Sequence, residues 1–344
     1  MKFAPDDYLA FFPLHHEVED HLPLRLRSQR NSVASKPAAK KRRLSLALQG
    51  GGSFGAFTWG VLDRLLEDES ITFDAVSGAS AGAVNAVLLA SGLAQGGPEA
   101  AKEILERFWR RASEAAPRGH AHAGLAMEVA VRHLSPYQFN PFNLHPLKTL
   151  LAEEVDFEAL RQHSKLKLLV ATTRVRDGRL RIFREKALTL DVILASTCLP
   201  VLHHAVTIDG EAYWDGGYSA NPPLLPLVSA SRATDALVVQ IMPSVGAEMP
   251  TSASEIRKRI EQITFASSLA RDMDALAAMK KLAGPHEQGS RLARKLQKLR
   301  LHHLTAEVEY PALSEASALN LDWDFLLALR DAGRKAADRL DRGV

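Results

Sequence analysis

A serine between two glycines is the first residue whose surroundings could support covalent chemistry. Residues 78–82 read Gly-Ala-Ser-Ala-Gly, a G-x-S-x-G motif between an apolar strand-like segment and an apolar helix-like segment. In that context Ser80 stands on a sharp strand-to-helix turn, where Gly78 and Gly82 leave room for the chain and the helix N-terminus supplies positive potential. Small residues also occur in tight turns for packing alone, so the surrounding strand and helix carry the prediction of a nucleophile.

A second glycine-rich segment lies upstream, where residues 50–55 read Gly-Gly-Gly-Ser-Phe-Gly. Its G-x-G-x-x-G spacing fits a dinucleotide-binding loop, but the nearest acid for a ribose, Asp74, stands at the start of the second predicted strand rather than at its end. The alternative is an oxyanion hole, in which backbone N–H groups of the loop point toward Ser80. A plain tight turn is the third interpretation. The residues predicted to form the oxyanion hole are Gly50, Gly51, Gly52, Ser53 and Gly55.

A serine nucleophile needs a general base, and the histidines of the chain are weak candidates. Several of them are adjacent pairs, whose side chains diverge on a strand or helix. Residues 16–21 approach a zinc-protease signature with one residue too many, so no metal site is predicted. Trp214-Asp215-Gly216-Gly217 follows a hairpin-like segment and offers a carboxylate, although an isolated Asp-Gly-Gly sequence is more often a turn.

The three motifs in this order resemble the patatin-like phospholipase family, over residues 44–250. The resemblance implies a three-layer α/β/α sandwich with a central, mostly parallel sheet and a Ser-Asp dyad in place of a triad. By position, Ser80 would be the nucleophile, Asp215 the general base and residues 50–55 the oxyanion hole, with neither cofactor nor metal. Phe54 departs from the family pattern, which often has a basic residue there, so the expected stabilisation comes from backbone donors.

In a Ser-Asp dyad the carboxylate must be basic enough to act alone, because Asp215 must accept the serine proton directly. Its unperturbed pKa of about 3.9 makes it a weak base, and partial burial that raises the pKa would help. The resemblance therefore implies a serine acyl hydrolase that cleaves fatty-acyl esters of phospholipids or related lipids. Two other classes stay open: a Rossmann-like nucleotide-binding protein and a catalytically inactive lipid- or protein-interaction module.

Hydrophobic periodicity predicts the elements that position these motifs. Strands are predicted at residues 44–48 and 73–77, each followed by a glycine-rich turn and then a helix, at 56–68 and at 81–92 with Gly92 as its C-cap. Two successive strand-to-helix units indicate an α/β sheet with helices on its faces. Further along, Asp177-Gly178 separates two apolar runs as a hairpin turn would, and residues 236–242 read as a late core strand.

The chain divides by composition into three parts. Residues 1–43 form an N-terminal extension with a basic linker, 44–250 the expected catalytic domain, and 251–344 a helical region expected to pack on it. Residues 125–151 are rich in apolar and turn-forming residues, which suits either a cover over the active site or ordinary core. Helices in the C-terminal region are predicted around 256–277, 292–299 and 322–340.

Charge is distributed unevenly over the 344 residues. The net charge is +3, yet residues 25–43 carry +8 and residues 280–300 carry +6, so the remainder is acidic. A nucleic-acid partner is therefore not predicted, whereas either basic segment could attract an anionic membrane surface or could simply be solvated. A single cysteine, Cys198, and an N-terminus unlike a secretory signal predict a cytoplasmic protein with, at most, peripheral membrane contact.

Overall fold

A mixed sheet forms the centre of the fold. The computed structural model describes residues 41–116, 134–243, 249–283 and 290–340. Within these residues the sheet has eight strands in the order β5-β6-β3-β2-β1-β7-β8, with β4 paired to β3. Strands β3, β2, β1, β7 and β8 run parallel, and β4, β5 and β6 complete the sheet antiparallel. The strands are β1 (Arg42–Leu48), β2 (Ile71–Gly78), β3 (Lys167–Arg174), β4 (Leu180–Arg184), β5 (Val206–Ile208), β6 (Glu211–Asp215), β7 (Asp235–Gln240) and β8 (Arg300–Thr305).

Helices cover both faces of this sheet. They are α1 (Gly55–Leu65), α2 (Ala81–Gln95), α3 (Gly97–Ala115), α4 (Pro136–Phe139), α5 (Pro146–Glu154), α6 (Phe157–His163), α7 (Leu190–Ser196), α8 (Leu224–Ala230), α9 (Ala253–Leu282), α10 (Arg291–Lys298), α11 (Ala306–Glu309) and α12 (Trp323–Leu340). None of the helices in the described ranges is long and apolar enough to cross a membrane.

Two hydrophobic clusters lie between the sheet and the helices, one on each face of the sheet. Along β7, Leu237 and Val239 enter the larger cluster, which includes α1, α2, α3 and α12, while Ala236 and Val238 enter the smaller one with α8, α9 and α10. This alternation follows from the two-residue period of a strand, and it shows that both faces of the sheet are buried. The predicted three-layer α/β/α architecture with a mostly parallel sheet is confirmed.

The two strand-to-helix units and the hairpin occur where the sequence predicts them, but α2 does not end near Gly92. The helix continues to Gln95. A Cβ atom at Gly92 would stand 2.2 Å from the Cα of Ala101 in α3. Gly92 therefore allows two helices to approach closely and is not a C-cap, a role that depends on a neighbour distant in sequence.

The C-terminal region contributes a strand as well as the three predicted helices. Strand β8 pairs in parallel with β7, an element that sequence periodicity missed because Arg300–Thr305 is a polar edge strand with only partly buried side chains. The apolar stripe predicted for α9 packs only in part. Ile256, Ile260 and Ile263 are exposed, and from Phe265 onward the helix packs through Phe265, Leu269 and Leu276.

Candidate active site

Ser80 occupies the turn between β2 and α2 in a conformation that few side chains adopt. Its φ of 52° and ψ of −127° lie outside the ordinary regions for residues with a Cβ, and such strain persists only where surrounding structure enforces it. A Cβ at Gly78 would stand 2.5 Å from the carbonyl of Gly82, and one at Gly82 would stand 2.0 Å from the carbonyl oxygen of Leu48. Both predicted glycines are therefore required by close approach.

The C-terminal end of α7 and the residues that follow it hold the backbone on both sides of the site. The Ser80 N–H donates to the carbonyl and the hydroxyl of Ser196, each at 3.1 Å, and the Ser196 hydroxyl donates to the Ala171 carbonyl at 2.7 Å. Two residues later, the Cys198 carbonyl accepts a hydrogen bond from the Asp215 N–H at 2.8 Å. The sequence did not predict these hydrogen bonds of Ser196 and Cys198, because they are made mainly by backbone atoms, which leave no signal in the residue types.

Asp215 ends β6 and is fully buried beside Ser80. Its Oδ1 accepts a hydrogen bond from the Gly217 N–H at 2.7 Å, whereas Oδ2 has no hydrogen-bond partner among the described residues. Burial raises the pKa of Asp215 from 3.8 to about 7, and the Gly217 N–H and the Ser80 side chain oppose part of that rise. The Ser80 contact lowers the pKa without meeting the geometry of a standard hydrogen bond, as is common for catalytic pairs without substrate.

A carboxyl group with a pKa near 7 is a better general base at neutral pH than an ordinary aspartate. It can accept a proton at pH 7 to 8 and return it, which a carboxylate with a pKa near 4 does poorly. The same burial raises the pKa of the neighbouring Cys198 thiol to about 12, with the Asp215 charge adding to the effect. Cys198 is thus a buried, protonated thiol, whereas the pKa of Asp215 allows this carboxyl to exchange a proton near neutral pH.

The glycine loop lies directly against the serine, since a Cβ at Gly50 would stand 2.6 Å from the Ser80 Cβ. Several of the predicted donors are already engaged. The Gly50 N–H donates to Asn221 Oδ1 at 2.6 Å, the Ser53 N–H donates to the Ala318 carbonyl at 2.8 Å, and the Gly55 N–H points back to carbonyls within the loop.

These contacts narrow the expected oxyanion hole to two residues of the loop, Gly51 and Gly52. Both line the same cavity as Ser80. Gly52 has a φ of +56°, and a Cβ there would stand 2.2 Å from the Ala318 carbonyl oxygen, so only glycine fits. Ala81 is the first residue of α2, and the first N–H groups of a helix have no acceptor within that helix. It is a third candidate donor next to the serine.

A largely apolar cavity of about 660 Å³ opens at Ser80. Its polar members include Lys258 and Glu261 of α9. Of the predicted cover, residues 125–133 lie outside the described residues, Leu150 of α5 lines the cavity, and Phe142 is 86% exposed. The apolar wall includes Phe108, Trp109, Leu150, Leu199, Leu202 and Phe265.

A model of the patatin-like phospholipase family matches residues 46–228, a range that includes all three motifs. The chain belongs to the patatin-like phospholipase family. Membership of this patatin-like family supports lipid hydrolase activity. Among curated proteins, the chain is 26% identical over 206 residues to the uncharacterized protein YjjU of Escherichia coli K12; the match covers 59% of the chain and 53% of YjjU. The chain therefore spans about half the length of that relative.

Two solved structures resemble this patatin-like chain at low identity. VipD from Legionella pneumophila matches with a TM-score of 0.37 and 17% identity, covering 86% of this chain and 68% of VipD. The heterodimeric ExoU–SpcU complex from the type III secretion system of Pseudomonas aeruginosa includes a chain that matches with a TM-score of 0.31 and 16% identity; the match covers 87% of this chain and 74% of that chain.

The remaining candidates of the sequence lie apart from the Ser80 site of the patatin-like domain or play other parts. Asp74, considered as a ribose ligand, accepts hydrogen bonds from the Ser231 hydroxyl at 2.9 Å and the Arg232 N–H at 2.6 Å. His203 lines the cavity but stacks on His145, with ring centroids 4.2 Å apart. In the described ranges no three His, Cys, Asp or Glu side chains form a metal-binding group, and residues 16–21 lie outside those ranges.

Proposed function

We propose that this patatin-like protein is a serine acyl hydrolase that cleaves fatty-acyl ester bonds of phospholipids or related lipids. One observation carries the proposal: Ser80, strained on its turn, adjoins a fully buried Asp215 with a pKa of about 7 and faces an apolar cavity. A packing turn would need neither the buried carboxyl nor the cavity. A dinucleotide site would need an acid at the carboxyl end of β2, whereas Asp74 is the fourth residue of the eight in that strand and is hydrogen-bonded to Ser231 and Arg232.

The reaction follows from the roles of the two side chains. Ionised Asp215 accepts the proton of Ser80 while Oγ attacks the ester carbonyl carbon, and the N–H groups of Gly51, Gly52 and Ala81 stabilise the resulting oxyanion. As the C–O bond to the leaving alcohol breaks, protonated Asp215 returns the proton to that oxygen. In the second half, Asp215 takes a proton from water, the hydroxide attacks the acyl-enzyme, and Ser80 regains its proton as the fatty acid leaves.

The cavity favours an acyl chain as the bound part of the substrate. Each methylene transferred from water into an apolar site contributes about 0.8 kcal/mol, which corresponds to roughly a fourfold gain in kcat/KM per added CH2 while the chain still fits. We expect esters of increasing chain length to follow this trend and then level off when the cavity is filled. The 251–344 region completes the wall through Phe265 and Leu321, so the proposed catalytic domain, residues 44–250, needs it.

Contact with an anionic lipid surface is the second part of the proposal. Of the two basic segments, residues 25–40 and 284–289 lie outside the described residues. In the described part Lys280 donates to the Leu299 carbonyl at 2.7 Å, Lys295 donates to the Ser231 carbonyl and Arg300 pairs with Asp235, so three cations of the second segment are engaged within the protein. We expect a cytoplasmic, peripheral association that weakens from low to high salt in vesicle co-sedimentation. Association indifferent to salt and to anionic lipid would contradict it.

Labelling with a fluorophosphonate tests the nucleophile without assuming a substrate. Wild type should be labelled at Ser80, and Ser80→Ala should lose both labelling and ester hydrolysis. Asp215→Asn should lose turnover by about 10³- to 10⁴-fold, because an amide cannot accept the proton. Ser91→Ala, which changes a buried serine elsewhere on α2, is the matched control and should react normally. Undiminished hydrolysis by Ser80→Ala would refute the assignment.

A further inference from the structure

Asn221 is a fully buried side chain that connects the glycine loop to the rest of the site. Its Oδ1 accepts a hydrogen bond from the Gly50 N–H at 2.6 Å, and its Nδ2 donates to the Gly50 carbonyl at 3.1 Å and to the Phe265 carbonyl at 3.0 Å. Its own N–H donates to the Ser268 hydroxyl at 2.8 Å. One amide therefore holds both polar backbone groups of Gly50 and is itself held by α9.

The position of Gly50 makes this contact significant for chemistry. In a trans peptide the C=O of one residue and the N–H of the next lie in one plane and point in opposite directions. Holding the Gly50 carbonyl therefore sets the direction of the Gly51 N–H, one of the proposed oxyanion donors. Three successive glycines have wide backbone freedom, so the loop itself does not fix that plane.

We propose that Asn221 is a positioning residue that orients the Gly51 N–H toward the oxyanion formed at Ser80. The inference rests on the proposed acyl-hydrolase function. An asparagine suits the task because it offers one acceptor and one donor to the two groups of Gly50. An aspartate would keep the acceptor for the Gly50 N–H but would place a second oxygen against two carbonyl oxygens. A leucine would offer neither group.

The test compares Asn221→Asp and Asn221→Leu with wild type, using a soluble fatty-acyl ester and a fluorophosphonate. We expect kcat and the labelling rate to fall together by about 10²-fold, as for loss of one oxyanion donor, with KM changed less than about threefold. Asp235→Asn is the matched control, because that carboxylate is also buried and hydrogen-bonded but lies at the start of β7. It should lower the melting temperature and leave kcat unchanged.

The outcomes separate this proposal from the function on which it rests. If wild type is neither labelled at Ser80 nor active, the proposed function fails and the role of Asn221 with it. If wild type reacts and the Asn221 variants keep their kcat, or lose only in KM, the positioning role is overturned. An equal loss of kcat in Asp235→Asn would also overturn it, since general destabilisation would then explain the effect. Should Asn221→Leu not fold, the similar-sized Asn221→Asp decides the question.

Discussion

Replacing the buried carboxyl of Asp215 should make the protein more stable as well as inactive. Asp215→Asn keeps the size of the side chain and the oxygen that accepts the Gly217 N–H. In the folded protein burial raises the pKa of Asp215 from 3.8 to about 7. Because the folded pKa lies above the unfolded one, the folded state is favoured most below pH 4, and stability is lost as the pH rises toward 7.

The size of the effect follows from that shift. A rise from 3.8 to about 7 corresponds to about 4 kcal/mol of unfolding free energy once the carboxyl is ionised in both states. Between pH 5 and pH 8 the penalty grows by about 2 to 3 kcal/mol, since part of it is already present at pH 5. Asparagine does not titrate, so the advantage of Asp215→Asn over wild type should grow by the same amount.

Urea unfolding of both proteins at pH 5, 6, 7 and 8 and constant ionic strength measures this difference, in which all other titrating groups cancel. Asp74→Asn is a control of opposite kind, because hydrogen bonds from the Arg232 N–H and the Ser231 hydroxyl and the charge of Lys167 hold the pKa of Asp74 below 3.8 against desolvation. The difference in unfolding free energy between this control variant and wild type should stay constant from pH 5 to pH 8. A difference between Asp215→Asn and wild type that does not change from pH 5 to pH 8 would refute the reasoning.

Three further measurements probe the site and its supports. With a non-titrating ester, kcat/KM should increase nearly tenfold per pH unit below the pKa of Asp215, about 7, and level off above it. A flat profile from pH 5 to pH 8 would exclude Asp215 as the base. Gly82→Ala should lower the free energy of unfolding by about 3 kcal/mol or more, or prevent folding, because its Cβ would stand 2.0 Å from the carbonyl oxygen of Leu48 in β1. Gly97→Ala is the comparison: its Cβ would meet open space, but the φ of +80° should lower the free energy of unfolding by about 1 to 2 kcal/mol, as measured by urea unfolding. His145→Phe should keep the stack on His203 and remove two buried nitrogens that have no partners among the described residues. Stability at pH 7 should therefore rise by about 1 to 3 kcal/mol, and a lower melting temperature would contradict this prediction.

Local patterns predicted the parts of the site that depend on local geometry. The strand, glycine turn and helix around Ser80 are contiguous, so hydrophobic period and small residues are enough to predict the turn. The same holds for the β1 unit and for the hairpin at Asp177. Asp215 was identified only through the resemblance of the ordered motifs, because an Asp-Gly-Gly segment alone is more often a turn. The family match over residues 46–228 confirms that resemblance.

Other features depended on neighbours that are distant in sequence. The sequence does not distinguish Gly51 from Gly50 as a donor, because the difference is the side chain of Asn221, placed there by the chain after β6. Nor does it show that the apolar stripe of α9 is buried only from Phe265 onward, or that β8 extends the sheet.

The sequence by itself determined the family, the two strand-to-helix units and the candidate nucleophile, since these rest on short motifs and on the order of those motifs along the chain. Only the tertiary structure decided which N–H groups remain for an oxyanion, how deeply Asp215 is buried and where its pKa lies. The physical reason is that hydrogen-bond satisfaction and desolvation depend on every group that packs around an atom. Those groups come from β6, α7, α9 and residues 315–321, and tertiary folding brings them together.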